Sequence, residues 1–541
     1  MPRPLGILTV CMAASALAGS GPAPIEFADA TAQAGIQFKH SFGAEKLGSL
    51  LESTGAGCVW FDYNNDGKPD LFVVSGRPLG NEMHPYPLRK APDPLPTNHL
   101  YRNDGDGKFT DVTAAAGVAG DSFNFSAEAA DFDNDGFTDL IVTSYGKVTL
   151  YRNKGNGTFE DVTAKAGLDV KGWAINATWL DYDRDGCLDL FIGRYVKFDP
   201  KYRSYYAADN YPGPLDYPGD SNLLYHNTCK GTFVDVSEKS GIAAYKARAM
   251  GVTAADFDGD GYPDIYVAND KTENFLFHNK RNGTFEEIAT AAGAAFGQNG
   301  ESTSAMGPIF FDAENRGAMD LWVSDSKYNR MLRNMGSLQF NDVTQPAGIA
   351  QLTAQYTSWG SGAYDFDNDG WRDLAIFHGG LIHMIPQEHS LFRNLGGGKF
   401  QDVSSTAGPV FQNKTVARGA CFADYDTDGK VDAFVVNLGS AGELLHNVTK
   451  STGHWIKVNL VGVKSNRDGI GALVEVSAGA LKQRAERVAA SGYLSQDDWR
   501  LHFGLGSNAR VDRITVSWPS GVRQVVENVP ADQVVTIKEK Q

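Results

Sequence analysis

Only five cysteines stand among 541 residues, and no two are spaced as Cys-x-x-Cys. This excludes a disulfide-dense mini-scaffold and a paired-cysteine zinc site. No G-x-S-x-G elbow, phosphate-cradling glycine loop or dinucleotide fingerprint occurs, which removes the commonest nucleophile and nucleotide chemistries. Positive charge is in short supply: 49 Lys and Arg face 65 Asp and Glu, a formal charge of -16. Such a surface does not attract nucleic acid or an anionic membrane as a general partner. Beyond the N-terminus no stretch reaches the roughly 20 apolar residues of a bilayer span. Helix-period patterns are scarce, whereas glycine is abundant at 60 residues, which favours short strands joined by tight turns and an all-β fold.

What the chain does have is one acidic stretch repeated seven times. Its clearest copy is Asp131-Phe-Asp-Asn-Asp-Gly-Phe-Thr-Asp139, followed by Leu140-Ile-Val. Acids at positions 1, 3, 5 and 9 converge where glycine at position 6 allows a sharp turn, as oxygen-rich calcium loops require. The complete copies place their ligands at Asp62, Asn64, Asp66 and Asp70; Asp131, Asp133, Asp135 and Asp139; Asp181, Asp183, Asp185 and Asp189. Three more use Asp256, Asp258, Asp260 and Asp264; Asp365, Asp367, Asp369 and Asp373; Asp424, Asp426, Asp428 and Asp432. The remaining copy reads Asp312, Glu314, Arg316, Asp320. Arg316 puts a fixed positive charge at the cation position, so this loop is expected to hold no metal and to rest on ion pairs. A single Asp-Gly turn needs no metal, but six intact acid clusters point to about six calcium ions. The flanks are β-rich and position 12 carries no acid, which excludes an EF-hand.

The rest of each repeat is equally regular. A strand like Leu150-Tyr-Arg-Asn and a strand like Gly157-Thr-Phe-Glu-Asp-Val-Thr follow each loop, giving a four-stranded unit. Seven units at this spacing predict a seven-bladed β-propeller. The seventh unit stops after Leu444-Leu-His-Asn447, while a spare last strand, Phe27-Ala-Asp-Ala-Thr31, stands at the N-terminus. Pairing the two would close the ring and remove two sheet edges. Residues 1–18 read as a cleaved signal peptide, with Arg3, an apolar run and Ala16-Leu-Ala18. The mature protein is therefore expected to be secreted or periplasmic. Residues 19–447 are expected to form the propeller, and 448–541 a β-sandwich or barrel.

These loops resemble FG-GAP/VCBS repeats. The tail, with Ser465-Asn-Arg-Asp-Gly-Ile-Gly-Ala472, Ser491-Gly-Tyr-Leu-Ser-Gln496, His502-Phe-Gly-Leu-Gly506 and Trp518-Pro-Ser-Gly521, resembles the ASPIC/UnbV domain. Together they resemble the cartilage acidic protein family in its bacterial form, which implies an extracellular calcium-binding propeller without an assigned reaction.

The expected function is a binding or adhesion scaffold for an extracellular protein or glycan. The competing reading is a calcium-dependent polysaccharide lyase or hydrolase. Long insertions grow from the face opposite the calcium loops, and the one from Arg194 to Asn222 carries Tyr205, Tyr206 and Tyr211. These tyrosines either stack on a ligand or pack on one another. Glu128, Arg248 and Arg418 are placed near inner strands, as an anion or glycan site at the channel mouth or as salt-bridge support. His378, His383, Glu388 and His389 offer four donor groups to a transition metal. Cys187 and Cys229 are expected to be bridged, and Cys58 and Cys421 to be buried thiols.

Overall fold

The computed structural model describes residues 23–202, 211–381, 383–450 and 453–541. The signal-peptide segment, Tyr205 and Tyr206 lie outside these residues. The chain is built almost wholly of antiparallel strands: seven sets of four, the fourth and fifth joined where Asp264–Thr272 pairs with Thr303–Phe311, a short two-stranded pair, and two further sheets. The first strand of each set is almost wholly buried, and most are rich in small residues, as in Asn124–Ala130 and Ala249–Ala255. These first strands lie side by side in a cycle that returns from Ala417–Ala423 to Cys58–Phe61. The result is a β-propeller.

Closure uses the N-terminus. Phe27–Asp29 pairs antiparallel with Glu443–Asn447, aligning Phe27 with Asn447 and Asp29 with Leu445. Phe27 packs edge-on against Phe366 with ring centroids 5.4 Å apart, so the strand also fills space between the sixth and seventh sheets. The innermost strands of the first and seventh sheets become neighbours through this closure. Cys58 and Cys421 stand on them with Cα atoms 5.8 Å apart and form a disulfide rather than two free thiols. A second disulfide joins Cys187 to Cys229 within the third sheet.

A further device links each sheet to the one before it. The third strand of every propeller sheet carries an asparagine at or near its end: Asn103, Asn153, Asn227, Asn279, Asn334, Asn394 and Asn447, none more than 3% exposed. Asn153 Nδ2 donates to Thr138 O of its own loop at 3.0 Å and to Tyr63 O of the preceding loop at 2.8 Å. The other six repeat this pair of bonds, and Asn103 completes the cycle by donating to Tyr425 O at 2.8 Å. The two carbonyls at each joint are buried or partly buried, and the two N–H groups of one carboxamide satisfy both.

The C-terminal segment folds as a sandwich. One sheet contains Leu501–Gly506, His454–Val461 and Gln533–Lys538; the other contains Leu481–Glu486, Leu473–Ala478, Arg510–Ser517 and Arg523–Pro530. Alternating apolar residues such as Val474, Val476, Ile514 and Val516 meet Ile456, Val458 and Phe503 between the sheets.

Replacing Asn153 by Leu should strand both carbonyls at one joint, at a cost of about 2–4 kcal/mol. The check is a melting temperature several degrees lower, with the surface variant Asn156→Leu as control; equal melts for the two variants would refute the clasp.

Candidate metal centres

Each acidic loop joins the first and second strands of its sheet, and its geometry is dictated by its own backbone. Asp131 Oδ1 accepts the N–H of Asp135 at 2.9 Å, and Oδ2 that of Gly136 at 2.7 Å. Gly136 has φ +92°, a conformation that a side chain would strain. At the far end, Asp139 Oδ2 accepts the N–H of Phe132 at 3.2 Å and Oδ1 that of Asn153 at 2.7 Å. Position 9 therefore ties the loop to the third strand, while position 1 folds the loop over itself. The same bonds recur in the fifth loop, where Asp320 accepts from Ala313 and Asn334.

The clustered carboxylates together fit a hard cation. Carboxylate oxygens of Asp131, Asp133 and Asp139 lie within 4.8 Å of one another, as do those of Asp181, Asp183 and Asp185. One ion with metal–oxygen bonds of about 2.4 Å spans such separations. Asp133 Oδ1 and Asp183 Oδ1 are buried and have no hydrogen-bond partner among the described residues. Burial and crowding by neighbouring acids raise the carboxyls: Asp131 and Asp189 are pushed up to about 7, Asp181 to about 8. A bound cation would supply the charge that otherwise has to come from protons.

Sequence reasoning passed over the basic residue that precedes each clasp asparagine. Arg152 bonds Asp133 and Asp135 at 2.5 Å, and Arg393 contacts Asp367 and Asp369. His226 Nδ1 is 3.1 Å from Asp189, His278 Nδ1 3.0 Å from Asp264, and His446 Nδ1 3.1 Å from Asp432. The hydrogen bond to the position-9 carboxylate holds each of these imidazoles above its ordinary value. The recurring Arg/His-Asn pair was the available signal. In the fifth loop Arg316 Nη2 lies 2.7 Å from Asp320, and Arg333 Nη2 is 2.7 Å from Glu314, so two guanidiniums answer its acids.

Sequence reasoning also missed what covers these loops: the sandwich stands on them and touches all seven. Arg500 reaches Gly67 O, Asp468 accepts the N–H of Asp131 at 2.7 Å, and Arg184 donates to Pro519 O at 2.6 Å. Glu486 accepts from Asp256, Arg484 donates to Gly317 O, Gly506 donates to Asn368 O, and Lys457 pairs with Asp424 at 2.9 Å. From this base the segment Ser491–Asp498 enters the propeller axis. Tyr493 is wholly buried, its hydroxyl donating to Thr54 O at 2.9 Å, and Gln496 bonds the backbone of Ala129 through both side-chain atoms. A Cβ on Gly57 would lie 1.6 Å from Leu494 O, so the inner strand needs glycine there.

Comparison with known proteins agrees with both halves. Residues 62–142, 131–192, 215–267 and 256–323 match the family described as FG-GAP-like repeat, and residues 462–541 match ASPIC and UnbV. The chain carries FG-GAP-like repeats and a C-terminal ASPIC and UnbV domain. It is homologous to cartilage acidic protein 1 of Mus musculus, with 24% identity over 322 residues, 56% of this chain and 47% of the relative. The Homo sapiens protein is also 24% identical over 322 residues, covering 56% and 46%. The chain thus spans about half the length of the curated relatives it matches. Among solved structures, the BP39L lectin from Burkholderia pseudomallei aligns at TM-score 0.43 and 8% identity over 73% of this chain and 98% of that one. Rhamnogalacturonan lyase YesW aligns at 0.35 and 12% over 76% and 78%.

The FG-GAP propeller does not present the channel-mouth residues that the sequence suggested. Glu128 is buried beneath the inserted segment, and burial, then Asp497, raises its carboxyl far above the usual range. Arg418 is fully buried, 4.0 Å over the Trp359 ring, with its Nε bonded to Ser53 O. Neither reaches solvent, because the channel is filled by Tyr493 and its neighbours. Arg248 binds Pro214 O and Tyr217 O and so ties down the tyrosine-rich insertion, where Tyr211 is half-buried against an aromatic cluster. His378 and His389 are buried and held neutral, bonding Ser358, Ser390 and Thr415 rather than converging with His383 and Glu388.

A carboxyl raised from about 4 to 7 or 8 stabilises the fold at low pH, and that contribution is lost as pH rises through the folded value. The metal-free protein should therefore melt lower at pH 8 than at pH 5. Calcium affinity should move the opposite way, with proton release on binding at pH 7, measured by titration calorimetry in two buffers of different ionisation enthalpy. Identical heats in the two buffers would contradict the raised carboxyls.

Proposed function

We propose that this is a secreted, calcium-stabilised binding scaffold that presents an adhesion surface to an extracellular protein or glycan. Residues 19–447 are the propeller, and residues 448–541 are a cap on its metal face. The observation that carries the reading is the unpartnered buried oxygen of Asp133 and of Asp183, each aimed into a loop whose other acids are already fixed by backbone N–H groups. Calcium suits these loops because the ligands are hard oxygens, irregularly arranged and more than two to a site. Four other loops share the acid spacing; the fifth loop, with Arg316 among its acids, is assigned no ion. The two disulfides suit an oxidising compartment, and among the described residues no helix is long and apolar enough to cross a membrane.

Metal analysis of the mature protein should find about six calcium ions. Each site held at a hundredfold excess over its Kd adds about 2.7 kcal/mol, so chelation should lower the melting temperature steeply. Asp131→Ala should lose one ion and Asp312→Ala none. A melt unmoved by chelator, with no calcium found, would overturn the proposal.

A further inference from the structure

Between the metal-loop face and the sandwich lies a cavity of about 430 Å3, within the about 300–1,000 Å3 usual for small-ligand sites. The loops of the first two sheets form its floor; Arg467, Arg487 and Trp499 stand on its walls, and Asn459 and Thr536 at its rim. Two of its guanidiniums keep unused donor capacity. The Arg467 side chain makes no hydrogen bond or ion pair among the described residues, its backbone alone being bonded to Asn134 Oδ1. Arg487 is 4% exposed; its Nη1 donates to Val488 O, and its Nε has no hydrogen-bond partner. A third, Arg500, is engaged by Asp498 at 2.7 Å.

The acids along the cavity are largely engaged, though Asp468 also offsets part of the charge of Arg467 and Arg487. Both oxygens of Asp62 and of Asp131 accept N–H groups of their own loops, and Asp468 Oδ2 accepts the N–H of Asp131. The unused donors facing the space are those of Arg467 and Arg487, beside the half-buried indole of Trp499, which Arg500 covers on one face at 4.6 Å, and a wall containing three threonines and Asn459. Forked guanidiniums select carboxylates, aromatic rings take the apolar face of a sugar, and hydroxyl and amide groups exchange hydrogen bonds with a polyol.

We propose that this interdomain cavity binds a small carboxylated saccharide, a uronate of one or two rings, with Arg467 and Arg487 binding the carboxylate and Trp499 a sugar ring. The site rests on the calcium reading above, since two metal loops make its floor. The test is titration calorimetry on the mature protein at fixed free calcium, with metal content measured on the same sample. The probes are digalacturonate, the neutral disaccharide cellobiose, and inorganic phosphate. Digalacturonate should bind at least tenfold tighter than either other probe. Arg467→Gln, and Thr536→Trp at the exposed rim, should each weaken it tenfold or more without changing the melt. Equal binding of cellobiose or of phosphate, or binding untouched by both variants, overturns the proposal while the calcium reading stands. A sample that holds no calcium overturns both.

Discussion

The position-9 aspartate and the clasp asparagine together set the shape of this protein. The carboxylate takes the asparagine's backbone N–H on one oxygen and the loop's second N–H on the other, as Asp139 does with Asn153 and Phe132. The asparagine's carboxamide then satisfies one carbonyl in its own loop and one in the neighbour's. Loop conformation, strand pairing and sheet-to-sheet spacing are thereby one linked network, repeated around the ring. That the fifth loop retains it with Arg316 among its acids separates two roles: position 9 holds the architecture, whereas positions 3 and 5 carry the surplus acid.

This arrangement stores charge. Raising buried carboxyls to about 7 or 8 leaves the loops balanced between holding protons and holding a cation. The neighbouring Arg or His supplies part of the answer from the third strand, fixed in the case of Arg152 and titratable in that of His226. The histidine loops and the arginine loops therefore differ in how their charge responds to acid.

The sandwich is not an appendage. It contacts every loop and fills the propeller axis with Tyr493 and Gln496, so the face built of acid loops is also the interface between domains. A propeller axis lined with alanine and glycine is too narrow for large residues of its own, and the space is filled instead by a segment more than four hundred residues from the first inner strand.

Repetition made much of this legible in the sequence. Seven acid loops, the alternation around them and the displaced strand at Phe27 are local patterns that specify strand, turn and number of units without reference to distant residues. Arg316 among acids identified the odd loop for the same reason. The rest depended on which surfaces meet. Glu128 and Arg418 read as channel-mouth charges because nothing near them in the chain reveals that Ser491–Asp498 will cover them. Cys58 and Cys421 became partners only because closing the ring sets two inner strands side by side. Sequence by itself determined the repeating unit and its acid chemistry, because both are encoded within a few tens of residues. Only the tertiary structure decided what the acid face touches, because that contact joins segments with no shared pattern, through shape and charge alone.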